Sequence, residues 1–214
     1  MKIALIGASG FIGSAILKEA LDRDIAVTAI VRHPEKINLE HPKLTKLKGD
    51  ALDEENLSEI IKGHDAVISA YNAGWQNPDI YTEQVAANHS IVDALHKSGI
   101  RRFLAVGGAG SLEVAPGVEL INTPDFPALF KGGAMATREM LILLQKDADL
   151  DWTFLSPPIS IDPGKRTGNY RMGGDQVVFD SNGHSKITVA DYAVAMIDEL
   201  ERPKHIRSRF TVAY

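Results

Sequence analysis

The chain has 214 residues, no cysteine and a formal net charge of -5. That length builds one sizeable core and fits a single domain over residues 1–214, and the acidic balance leaves no basic field to recruit nucleic acid or an anionic membrane. Without cysteine there are no disulfides, thiolate metal sites or cysteine nucleophile, and the apolar run after Met1-Lys2 is too short for a secretory signal; a soluble, cytoplasmic protein is expected.

Taken in order, strand-length apolar runs alternate with helical patterns. Lys2 to Ile6 reads as the first strand and Phe11 to Arg23 as a helix with Ile12, Ala15, Ile16 and Ala20 on one face. Ile25 to Val31 is a second strand rich in β-branched residues, and His33-Pro34 opens a short helix or turn. Leu44 to Lys48 is a third strand, Asp53 to Lys62 a helix, and Ala66 to Ala70 the fourth strand. Ile80 to Lys97 is a long helix ended by Ser98-Gly99, followed by a fifth strand over Arg102 to Val106. Gly133 to Lys146 is another helix and Trp152 to Leu155 a sixth strand. Pro157 to Gly174 is rich in Pro, Gly and basic residues, Gln176 to Phe179 and Arg209 to Val212 read as short strands, and Thr188 caps a helix to Leu200. The alternation predicts an α/β fold with a doubly wound parallel sheet, residues from about 157 to 214 adding a small substrate-side lobe. In such sheets ligands sit at the carboxyl ends of the strands.

The first of those ends carries Gly7-Ala8-Ser9-Gly10-Phe11-Ile12-Gly13. Gly7 permits the tight turn, Gly10 lets the backbone approach a pyrophosphate, and Gly13 lets the helix pack on the sheet. The helix start at Phe11 and Ile12 offers free N–H groups to phosphate, and Ser9 adds a hydroxyl. At the end of the second strand, where an acidic residue would hold the ribose of NAD, stands Arg32. Its planar fork suits a 2′-phosphate, so NADP(H) is preferred over NAD(H). Asp50 and Ala51 lie where adenine would be met, and Ala70 and Tyr71 where the chain passes under ribose and diphosphate. Gly107, with Gly108 and Gly110, lets the backbone pass close to the cofactor.

The motifs G-x-x-G-x-x-G at 7–13, V-R-x-P-E-K at 31–36, V-G-G-A-G-S-L at 106–112, W-T-F-L-S-P at 152–157 and I-T-V-A-D-Y-A at 187–193 resemble atypical short-chain dehydrogenase/reductases. The chain is similar to small proteins described as NADH-flavin reductases or NAD-dependent epimerase/dehydratases, to biliverdin reductase B and to NmrA-like proteins. The resemblance implies a Rossmann fold, a nicotinamide cofactor, and a backbone contact to the carboxamide near Pro157. It also frames a departure. Many relatives use Tyr-x-x-x-Lys for proton transfer, but residues 130–141 read FKGGAMATREML, and none of Tyr71, Tyr81, Tyr170, Tyr192 and Tyr214 has lysine four residues on. Hydride transfer to a flavin or quinone needs no such pair, because stacking orients the acceptor and water supplies the proton.

The reading that follows is an NADPH-dependent reductase of a planar acceptor, acting as monomer or homodimer. The alternatives are an NmrA-like redox sensor that binds without turnover, or an epimerase or dehydratase on a nucleotide sugar. Ser111 is the candidate donor near the nicotinamide. Tyr71, Trp75 and Phe130 would wall a planar substrate, while Lys131, Arg166 and Tyr170 would meet an anionic group on it. The histidines make no metal site: His89 and His96 lie two helical turns apart.

Overall fold

In the computed structural model, which describes residues 1–214, the first half alternates as β1 (Lys2–Ile6), α1 (Phe11–Asp22), β2 (Ala26–Val31), β3 (Leu44–Lys48), α2 (Glu54–Ile61), β4 (Ala66–Ser69), α3 (Ile80–Ser98) and β5 (Arg102–Val106). A hairpin, β6 (Glu113–Ala115) and β7 (Val118–Glu119), precedes α4 (Ala128–Gln145) and β8 (Asp151–Ser156). Then come β9 (Ser160–Asp162), β10 (Arg171–Gly173), β11 (Lys186–Thr188), α5 (Val189–Glu201) and β12 (Ser208–Ala213).

The main sheet runs β10-β12-β8-β5-β4-β1-β2-β3. All its pairings are parallel except that of β10 with β12. This is the Rossmann-type doubly wound α/β fold. Successive residues of β1 serve opposite faces, as strand pleating demands. Ile3 and Leu5 join Ile16, Ala20, Ala193 and Ile197 from α1 and α5. Ala4 and Ile6 join Leu57, Ile91, Leu95 and Leu144 from α2, α3 and α4. Burial on both faces is why the central strands read as unbroken apolar runs.

Local chemistry sets the element ends. Asp53 caps α2 through the Asn56 N–H at 3.1 Å, Gly99 closes α3 at φ 76°, and Thr188 caps α5 through the Asp191 N–H at 3.2 Å. From β1 the chain winds to β2 and β3 on one side, then crosses to β4 and β5 on the other. The crevice between the carboxyl ends of β1 and β4 is therefore the topological switch point, where ligands bind in open α/β sheets.

Several expectations are corrected. Helix α4 begins at Ala128, five residues before Gly133, because Pro127 at its N-cap and the helix-forming Ala128-Leu129 start it while the glycines are carried inside. Residues 176–179 form no strand; Gln176 makes one isolated bridge to Glu113, and the segment pairing with β12 is Arg171–Gly173. Much of the C-terminal third belongs to the main core itself. Helix α5 and β12 belong to the main core, with Tyr192 fully buried and donating to the Leu155 carbonyl at 2.6 Å. Only the segment carrying β9, β10 and β11 lies outside the regular alternation.

Candidate active site

Four strand ends build one cavity of ≈ 240 Å³. The β1 end supplies Ile6, Gly7, Ser9 and Gly10, and the β2 end Ile30, Val31 and Arg32. Gly49 and Ala51 follow β3, while Ala70, Tyr71 and Asn72 follow β4.

The glycines divide the labour as geometry requires. Gly7 has φ +77°, and a Cβ there would lie 2.6 Å from the Ala70 carbonyl oxygen. A Cβ on Gly13 would lie 2.1 Å from the Gly7 oxygen, so this position brings α1 against the loop. A Cβ on Gly10 would meet only the Gly7 oxygen, at 3.4 Å, and would otherwise project into the cavity. No side chain caps α1, and its first turn holds no acidic residue. The N–H groups of Phe11 and Ile12 are thus unpaired at the positive end of the helix dipole. A diphosphate fits this cradle: its charge meets free donors, and its atoms occupy the space that Gly10 leaves.

Arg32 stands apart from every other arginine in the chain. The others pair with carboxylates or, in the case of Arg171, donate to backbone carbonyls. Arg32 has no partner within the chain, is exposed, and lines the cavity. Asp50 does not line it: one of its carboxylate oxygens accepts the Leu52 N–H at 3.0 Å, tightening the turn that presents Gly49 and Ala51.

The loop after β4 is bolted down by residues that sequence reasoning passed over. The Tyr71 hydroxyl donates to Glu83 at 3.0 Å, and Asn77 donates to the other Glu83 oxygen at 2.8 Å. Burial, reinforced by Glu83, pushes the Tyr71 phenol well above its ordinary value, so it stays protonated. Gln84 accepts the Ala73 N–H at 2.9 Å and donates to Asn88 at 3.1 Å, and Asn88 donates to the Ala136 carbonyl at 3.1 Å. One signal was available: Gln84 and Asn88, four residues apart, put two amides on the buried face of α3.

Beyond β5 packing alone accounts for the glycines. A Cβ on Gly107 would strike the Phe154 ring at 2.3 Å, one on Gly108 would press Thr137 at 3.2 Å, and one on Gly110 would press Ala134 at 2.9 Å. They let β8 and α4 close on the loop. Gly133 and Thr137, spaced as a Tyr-x-x-x-Lys pair would be, belong to the α4 surface beside this loop and the one after β4. The Thr137 hydroxyl is already engaged, donating to the Gly133 carbonyl at 2.7 Å. Ser111 is buried, and its hydroxyl oxygen accepts from Arg209 at 3.1 Å. Arg209 also donates to the Ser111 carbonyl at 2.7 Å and pairs with Asp175 at 2.6 Å.

The aromatic wall splits. Trp75 and Phe130 meet edge to face with centroids 5.2 Å apart and planes at 84°, while Tyr71 belongs to the cofactor cavity. Lys131 lies exposed in the first turn of α4, and Pro157 is buried directly after β8.

Arg166 and Tyr170 do not line the cavity and are engaged within the chain. Arg166 grips Glu19 of α1 with two bonds of 2.8 and 2.9 Å, and the Tyr170 hydroxyl donates to Asp198 of α5 at 2.7 Å. Arg23 joins both carboxylates, at 2.7 Å each. Asp191 completes the clasp, accepting from the Thr167 N–H, the Thr167 hydroxyl, the Gly168 N–H and the Tyr214 hydroxyl at 2.6 to 2.8 Å. The basic loop is thereby fixed to the outer face of two helices. His96 likewise finds its partner in Asp147, at 2.7 Å.

No helix is long and apolar enough to cross a membrane. Residues 7–200 match a family model described as NAD(P)H-binding. The YwnB protein of Bacillus subtilis is 43% identical over 215 aligned residues, covering 99% of this chain and 98% of its own. A crystal structure from Bacteroides thetaiotaomicron, provisionally named an epimerase, is 49% identical with a TM-score of 0.93 over 100% of this chain and 96% of its own. One from Streptococcus pneumoniae, provisionally named an NADH-flavin reductase, is 38% identical with a TM-score of 0.86 over 100% and 99%. The glycine cradle, the uncapped helix and the switch-point cavity all lie within the matched span, and the chain belongs to the NAD(P)H-binding family of Rossmann oxidoreductase-like proteins.

Proposed function

We propose that the protein is an NADPH-dependent reductase of a planar acceptor such as a flavin or quinone. The observation that carries the cofactor choice is Arg32, an exposed, partnerless guanidinium on the cavity wall at the end of β2. A 2′-phosphate is the group whose charge and geometry match it.

The residues divide as follows. Gly10 and the first turn of α1 hold the diphosphate, Arg32 the 2′-phosphate, and Gly49 and Ala51 flank the adenine. Bound there, the nicotinamide supplies a hydride. The acceptor side supports a planar substrate, because Trp75 and Phe130 offer aromatic surface and residues 130–141 hold no tyrosine. Such an acceptor takes its proton from water. The absence of any tyrosine with lysine four residues on argues against an epimerase or dehydratase that works through Tyr-x-x-x-Lys.

The test is titration with NADPH and NADH, then measurement of NADPH oxidation with FMN, riboflavin and a benzoquinone. Tight NADPH binding with turnover is expected. Tight binding without turnover on any acceptor would overturn the enzyme reading in favour of a redox sensor.

A further inference from the structure

Trp75 occupies an unusual seat. It sits midway along the loop between β4 and α3, one residue past Gly74. Gly74 is held at φ +104° with open space around it, a backbone shape that a side chain would strain. The indole lies on helix α4 at Gly133: a Cβ at that glycine would lie 2.6 Å from the indole Cζ3 and 3.2 Å from Cη2. Glycine inside a helix costs stability, and here it opens a flat shelf. Phe130, one turn earlier on the same helix, meets the indole edge to face. One edge of the ring system is therefore fixed, yet Trp75 remains 47% exposed and Phe130 41% exposed. Leu129, four residues before Gly133 and so on the same face of α4, is exposed as well. The same loop begins with Tyr71 and Asn72 on the cavity wall, so only Ala73 and Gly74 separate Trp75 from that wall along the chain.

We infer that Trp75, seated on Gly133 and braced by Phe130, is the specificity-determining residue of the acceptor subsite, the surface on which a flavin-type aromatic ring system stacks. The inference rests on the reductase reading for its choice of ligand. A rigid indole presents a large flat area at little cost in side-chain entropy. Gly133 then has a reason: any side chain there would lift the indole off its seat.

The probe is riboflavin, titrated into protein saturated with NADP+, a ternary complex that cannot turn over. Riboflavin emission is excited in the visible, where tryptophan does not absorb, so quenching reports contact with an electron-rich ring. The native protein is expected to bind riboflavin and quench it. Trp75→Leu is expected to bind at least tenfold more weakly with the quenching gone. Trp75→Phe should keep most of the affinity but lose most of the quenching, and Gly133→Ala should weaken binding several-fold. The affinity for NADP+ should stay within twofold in all three variants, which also reports that they fold. Failure of the native protein to bind riboflavin would overturn the inference, as would undiminished binding and quenching by Trp75→Leu. Binding and quenching without any NADPH oxidation would uphold the subsite while removing the reductase reading. Turnover with an unchanged riboflavin KM in Trp75→Leu would do the reverse.

Discussion

Replacing Arg32 by alanine isolates the cofactor choice from the fold. Every other arginine is tied to an acceptor within the chain, so its loss would disturb structure and binding together. Arg32 has no partner to abandon, and a surface substitution of this kind alters stability by about 0.5 kcal/mol or less. Binding is another matter. A hydrogen bond to a charged group is worth about 1.5–3 kcal/mol, and each 1.4 kcal/mol is roughly a tenfold change in Kd. Arg32 is exposed, which places the expected loss toward the lower end. NADPH should therefore bind roughly ten- to thirtyfold more weakly to Arg32→Ala, while NADH, which lacks the 2′-phosphate, changes less than about twofold. Cofactor fluorescence titrations at two ionic strengths measure both. The native preference for NADPH should shrink as salt rises, because an exposed charge pair is screened. Equal losses for the two cofactors, or a salt-independent preference, would refute the 2′-phosphate assignment.

Gly10→Val should abolish binding of both cofactors without unfolding the protein. The backbone there sits at φ -76°, which valine accepts, and the new side chain would fill the diphosphate space; binding within tenfold of native would show that the loop is only a turn. Arg166→Met should lower stability by about 1 kcal/mol, since Glu19 keeps Arg23 as a partner. It should also leave the acceptor KM unchanged, and a raised KM would restore Arg166 to the substrate site. Burial raises the Asp191 carboxyl, but hydrogen bonds from Thr167, Tyr214 and Gly168 outweigh it and hold the group below its ordinary 3.8. Its contribution is thus present above pH 3.8 and lost as the pH falls through the lower folded value. Urea unfolding of Asp191→Asn should accordingly show a flatter decline below that pH than the native protein, and parallel declines would remove the linkage.

What could be read from the sequence was what short-range chemistry decides. The β1 strand, the glycine turn and the start of α1 are adjacent in the chain, and each residue's role there follows from backbone geometry. The caps at Asp53 and Thr188 and the stop at Gly99 are local in the same sense. Arg166 and Tyr170 could not be read that way. Their partners lie 147 and 28 residues distant, and a basic, glycine-containing loop has the same composition whether it meets a phosphate or clasps two helices. The start of α4 was hidden by Gly132-Gly133, which depress helix propensity where Ile80 crowds the first and Trp75 the second.

The two glycine-rich stretches show where sequence runs out and what the structure adds. Gly7-x-x-Gly10-x-x-Gly13 and Gly107-Gly108-x-Gly110 both follow parallel strands, and both invite the same reading, a backbone cleared for a cofactor. The missing side chains have different neighbours. At Gly107, Gly108 and Gly110 the added Cβ would collide with Phe154, Thr137 and Ala134, so the protein itself fills the space. At Gly10 it would meet one oxygen at 3.4 Å and then the open cavity. A glycine crowded by its own chain is explained by packing. Gly10 is bare beside a cavity at a φ of -76° that any side chain accepts, so neither packing nor backbone conformation requires glycine there. That contrast is what the cofactor proposal rests on at Gly10, while Gly133 seats Trp75 and would bear on the proposed acceptor only through it.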